Sequence, residues 1–91
     1  MFEKFPKLFD ENSRNEVTVF FENQEFRIDK IAQIDGNIWI VDFKTGIPQH
    51  KIPFEYKNQL KNYQKIYKKI ANVDARIAIL WTEDLKFEEV I

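Results

Sequence analysis

The chain has no cysteine, two glycines and three prolines in its 91 residues. Without cysteine it forms no disulfide, no thiolate zinc site and no cysteine-ligated iron–sulfur cluster, which fits a reducing, cytoplasmic setting. So little glycine and proline argues against disorder over most of the length. No apolar run is long enough to span a bilayer. The opening MFEKFPKLFDENSRN is interrupted by charges every few residues, unlike a signal peptide. What the sequence does have is phenylalanine, nine in all, and enough apolar residues for one small domain.

Net charge is −1, unevenly spread. Between Lys51 and Lys69 six lysines face one acid, Glu55. The last nine residues carry four acids and one lysine. A basic stripe of this kind is either a polyanion-binding surface or a solvated helix face.

The pattern predicts an α+β domain in the order β-β-β-α-β. Residues 1–15 have no clear period and read as an irregular lead-in. Residues 16–45 form a three-stranded meander. VTVFFE (17–22) is the first strand, followed by a tight turn at Asn23-Gln24. Residues 25–34 and 37–45 are the next two strands. Asp35-Gly36 between them is a strong hairpin signal, because both residues tolerate the positive φ of a type I′ turn. Residues 46–53 form a loop carrying His50. From Phe54 to Ala71 the period changes to that of a helix, with Tyr56, Leu60, Tyr63, Tyr67 and Ile70 on its apolar stripe. RIAILWT (76–82) reads as a buried strand, and KFEEVI as a short edge strand in the 76–91 segment.

A two-residue turn at Asp35-Gly36 fixes the hairpin register. Asp29 then falls opposite Asp42, and Arg27 opposite Lys44, all on one face. The other face carries Phe26, Ile28, Ala32, Ile34, Trp39, Val41 and Phe43, with Lys30 as its awkward member. Directly opposed Cβ atoms lie about 5 Å apart. Two carboxylates at that spacing repel by roughly 3 kcal/mol at an effective dielectric near 20. A divalent cation between them removes the repulsion, and oxygen ligands suit magnesium or manganese. Neutralisation of the aspartates by Arg27 and Lys44 is an equally simple account.

The run FRIDKIAQIDGNIWIVDFKTG followed by QLKNY resembles the PD-(D/E)XK nuclease superfamily, and within it the RecB/AddA-type exonuclease domain. The matching positions are Arg27-Ile28-Asp29, Asp42-Phe43-Lys44-Thr45, and Gln59 with Tyr63, over roughly residues 8–82. Glu16 looks like the glutamate that starts the preceding strand and is a supporting residue. The resemblance implies a restriction-endonuclease-like core with a mixed sheet and a packed helix. It implies a magnesium- or manganese-dependent DNA exonuclease of a helicase–nuclease that repairs double-strand breaks. Asp29, Asp42 and the main-chain carbonyl of Phe43 would hold the metal. Lys44 would position the attacking water and stabilise the phosphate, and the water attacks phosphorus in line. Gln59 and Tyr63, one helical turn apart, would support Lys44 or contact the DNA backbone. Lys57, Lys61 and Lys65 would contact phosphates.

Two departures from the family pattern matter. The family's histidine on an upstream helix has no counterpart, because no histidine precedes Glu16. His50 lies after the motif and reads as a loop residue. The chain thus reads as the C-terminal portion of a larger protein lacking the N-terminal core helix, with helicase domains or a helicase subunit as partners. A layer truncated in this way is expected to leave apolar surface uncovered and to pair as a homodimer. The absence of cysteine disfavours the relatives that carry an iron–sulfur cluster. Two other readings stay open: a non-catalytic nucleic-acid-binding module on the same fold, and a small protein-interaction domain.

Overall fold

The computed structural model describes residues 14–46 and 52–91. The element order is β1 (Arg14–Phe21), β2 (Gln24–Ile34), β3 (Asn37–Lys44), α1 (Phe54–Ala71), β4 (Arg76–Trp81) and β5 (Lys86–Val90). The five strands form one sheet in sequential order. All neighbours are antiparallel except β3 and β4, which are parallel. Parallel neighbours need a crossover, and α1 supplies it. The mixed sheet with one packed helix is α+β. The proposed irregular lead-in, the question of an N-terminal core helix, and His50 lie outside the described residues, except that Arg14 and Asn15 already belong to β1.

Each turn follows from its residues. The first hairpin turns at Glu22-Asn23, one residue earlier than Asn23-Gln24, and both residues have positive φ (51° and 63°). Asp35 and Gly36 have φ of 51° and 82°, as a type I′ turn requires. Ile34 accordingly faces Asn37, and the ladder runs in that register as far as Lys30 opposite Val41. Helix α1 starts after Pro53, whose carbonyl accepts from the amides of Tyr56 and Lys57 at 3.0 and 3.2 Å. It ends at Asn72, which adopts the left-handed conformation and donates its amide to the Lys68 carbonyl. Glu55 in the first turn and Lys68 and Lys69 in the last oppose the helix dipole favourably.

The sheet is buried on both faces. On the helix side Ile28, Ile31, Ile40, Ile77, Ile79 and Trp81 pack with Leu60 and Tyr63. On the other side Ala32, Trp39, Val41, Ala78 and Leu80 form a second cluster flanked by Ile34, Phe43 and Phe87. Burial on both sides explains why β4 is an uninterrupted apolar run after Arg76. The helix buries Leu60, Tyr63 and Ile66, so Ile66 takes the place expected of Ile70, which is exposed.

One feature of β2 departs from simple alternation. Ile28 and Ile31 belong to the same helix-side cluster although three residues apart. The faces therefore slip by one residue at Asp29-Lys30. Phe26 and Ile28 consequently lie on the helix side, not with Ala32 and Ile34, and Arg27 between them points away from it. Lys30, buried to 1% exposure, pairs with Val41 and falls on the second face. The slip has a partner in β1, where Glu16 has φ 46° and pairing skips from Asn15–Lys30 to Val17–Ile28.

Candidate active site

The slip decides the site. Had β2 stayed regular, Asp29 would continue the ladder opposite Asp42. Instead the ladder stops at Lys30–Val41, and the Asp29 carboxylate takes over: its Oδ2 accepts the main-chain N–H of Phe43 at 3.0 Å. The expected direct opposition of two ladder residues is thus replaced by a side chain wedged where two strands part. Asp29 and Asp42 still come together. Arg27 does not join them, because the slip sends it to the opposite face, where it is exposed.

Asp42 lies at the helix-facing side of β3 and is 6% exposed. Lys44 Nζ lies 2.8 Å from its Oδ2. The approach is an ion pair without hydrogen-bonding direction, so buried Oδ2 has no hydrogen-bond partner. Burial, then the adjoining Asp29 carboxylate, push the Asp42 carboxyl up to about 6, against the opposing pull of Lys44. Burial alone would depress the Lys44 ammonium. The pull of Asp42, with Tyr56 and Asp29, outweighs it and leaves Lys44 above its ordinary value. Lys44 is therefore a cation at neutral pH. Its backbone is fixed too: its carbonyl accepts from the Thr82 amide at 2.9 Å and from Thr82 Oγ1 at 3.3 Å.

Helix α1 roofs the site. Gln59 Nε2 donates to Tyr63 Oη at 3.0 Å, so the two residues one turn apart act as a unit. Burial raises the Tyr63 hydroxyl pKa against the Gln59 hydrogen bond, and the Asp42 and Asp29 charges add to the rise. Phe26 packs edge-on against the Tyr63 ring. The sequence reading missed Tyr56. Its ring lies 4.4 Å from Lys44 Nζ and rests in turn on Trp81. Its position three residues before Gln59 and seven before Tyr63 was the available signal.

Beside Asp29 opens a cleft of about 360 Å³ lined by Asn15, Glu16, Asp29 and Phe43, and not by Asp42 or Lys44. Glu16 thus shares a cleft with Asp29. Among the described residues no three His, Cys, Asp or Glu side chains converge as a metal-binding group. The fit to a cation rests on two adjoining carboxylates, one of them buried. Magnesium commonly takes one or two carboxylates and completes its shell with water and substrate phosphate, so the donor set fits that ion and not zinc. Of the lysines, Lys61 and Lys65 line a groove along α1 that also includes Gln59, whereas Lys57 does not.

The sequence matches no family model and no curated protein. Among solved structures, the chain is similar to one described as the crystal structure of SSO0001, with a TM-score of 0.56 and 15% identity. The likeness covers 97% of this chain and 46% of that one, so the chain spans under half the length of that structure. At this identity the likeness concerns the fold. No helix among the described residues is long and apolar enough to cross a membrane.

Proposed function

We propose that the chain carries a PD-(D/E)XK-type site that hydrolyses phosphodiester bonds in DNA with magnesium or manganese, on a restriction-endonuclease-like core. The observation that carries this reading is the Asp42 carboxylate. A protein has little to gain from burying one acid beside a second with a single lysine to balance them. The arrangement makes sense if a cation completes it. Asp29, Asp42 and the Phe43 carbonyl would hold the ion, which when bound supplies positive charge against the phosphoryl oxygens. Lys44, charged and held by Asp42 and the Tyr56 ring, places its N–H groups towards a phosphate oxygen or an attacking water. Being protonated, it serves as a charge stabiliser and not as a general base. Gln59 and Tyr63 wall the helix side and limit water access. Glu16 borders the cleft and would orient what enters it. A helicase–nuclease role in break repair, with helicase partners, is part of the same proposal and rests on the motif resemblance alone.

The test is cleavage of linear DNA with magnesium or manganese, beside Asp42→Ala and Lys44→Ala. The expected outcome is metal-dependent cleavage that drops by at least about a hundredfold in each variant, the scale of losing one preorganised transition-state contact. Equal cleavage by all three proteins would sink the reading. A second readout needs no turnover. Manganese at about a hundred times its Kd should stabilise the wild type by about 2.7 kcal/mol, and Asp42→Ala should show no such gain.

A further inference from the structure

The two neighbouring acids of β5 face opposite sides of the sheet and hold different partners. Glu89 lies opposite Ala78, on the side away from α1, and grips the exposed Arg76 guanidinium through contacts of 2.6 and 2.8 Å. Glu88 lies opposite Ile79, on the side of α1. Its Oε1 accepts the indole N–H of Trp81 at 3.0 Å. Trp81 is 2% exposed, and a buried indole N–H, which can only donate, needs such an acceptor. Trp81 is the neighbour of Lys44 in the parallel β3–β4 pair. The Tyr56 ring, from the first turn of α1, reaches both residues. Its centre lies 6.2 Å from the Trp81 ring and 4.4 Å from Lys44 Nζ. Lys44 Nζ in turn lies 2.8 Å from Asp42 Oδ2. A line of contacts therefore runs from the edge strand into the aspartate site, from Glu88 through Trp81 and Tyr56 to Lys44.

We propose that Glu88 is a positioning residue for Lys44, acting through the Trp81 indole and the Tyr56 ring. This rests on the function proposed above for what Lys44 does there, and not for how it is held. A lysine is a point charge on a flexible stem with much rotamer freedom to lose. One ion pair to a single carboxylate leaves that stem free to swing. A second contact, on the face of an aromatic ring, attracts the ammonium and restricts it. The ring serves only if it stays in place, and the wall behind Tyr56 is Trp81. The tilt of the indole is set in turn by its hydrogen bond to a charged acceptor, stronger than one to a neutral group. The brace matters most once Asp42 lends its charge to a bound cation. Its hold on Lys44 then weakens, and the Tyr56 face is the contact that remains. Glu88 itself touches neither Lys44 nor the aspartates, so its effect passes entirely through the two rings.

The test is NMR of the lysine ε-CH2 signals in the full chain, first in chelator and then with magnesium. A group held over a ring face is shifted upfield by the ring current, so Lys44 should give an upfield signal that is missing in Lys44→Ala. Tyr56→Leu should return it to the ordinary lysine position. Glu88→Ala should move it most of the way back. Glu88→Gln, which keeps an acceptor for the indole, should leave it in place. Glu89→Ala, which removes the same charge from the other face, should leave it in place too. Trp81→Phe keeps a ring against Tyr56 but has no N–H, and in that background Glu88→Ala should have no further effect. In cleavage of linear DNA, Glu88→Ala should lower kcat and kcat/KM together by about tenfold, the scale of one cation–ring contact, and Glu88→Gln should restore most of the loss. A Lys44 signal unmoved in Glu88→Ala, or moved as far in Glu88→Gln or Glu89→Ala, would overturn the proposal. So would a wild-type signal that returns to the ordinary position when magnesium is added. Because the spectrum is read without DNA, an inactive wild type would count against the proposed function alone and leave the hold on Lys44 to the spectrum.

Discussion

Asp42 is the residue in which burial, charge and function meet. An ordinary aspartate titrates at 3.8, and this one is pushed up to about 6. The folded chain therefore binds this proton more tightly than the unfolded chain does. The resulting stability is fully present below about pH 4 and is lost as pH rises through 6. The displacement corresponds to roughly 3 kcal/mol at 1.36 kcal/mol per pH unit. In chelator, urea unfolding should show the wild type losing about that much stability between pH 4 and pH 7 relative to Asp42→Asn. A variant that loses as much as the wild type over that window would remove Asp42 as the cause. The sequence placed Asp42 beside Asp29 and Lys44, and the structure brings all three together. It did not reveal that Asp29 would be held by the Phe43 amide, because that depends on a slip between two strands and not on either strand alone.

Among the elements, the helix was the most legible. Its span of 54–71 follows from apolar spacing and from Pro53, which sets the start. Its apolar stripe was drawn through Ile70 in place of Ile66 at the C-terminal end, because both fit a helical period and only the sheet below decides between them. The helix stop at Asn72 uses a left-handed residue. Asn72→Ala should cost about 1 kcal/mol, the penalty of a Cβ in that conformation, read as a lower midpoint in urea with an unchanged slope. Asn72→Gly should cost nothing or add stability. The β2–β3 hairpin was equally readable, since Asp-Gly prescribes its turn and hence its register. Strand β2 was not. Phe26, Ile28, Ala32 and Ile34 fit one alternation, which leaves Lys30 on the apolar face and Ile31 on the polar one, and the slip at Asp29-Lys30 that resolves this is matched in β1 by Glu16, whose positive φ no sequence pattern announces.

For the molecule as a whole, stability rests on one sheet buried on both sides. A chain of this length has a net stability of about 5–14 kcal/mol. Ile79 is fully buried on β4, between β3 and β5. Ile79→Ala should cost about 2–5 kcal/mol and lower Tm by about 10 °C or more, measured by circular dichroism in melts. A shift of only a degree or two would mean that the core repacks around the gap. The likeness to a structure more than twice as long concerns this sheet-and-helix frame.

By itself the sequence determined the element order, the Asp35-Gly36 turn, the helix span and the presence of two acids and a lysine near one strand end. These are local matters, set by periodicity, turn chemistry and neighbours a few residues apart. Only the tertiary structure decided which side chains share the site. Arg27 left it and Tyr56 entered it, because a one-residue slip in β2 and the placement of α1 over β3 and β4 are settled by packing between segments distant along the chain.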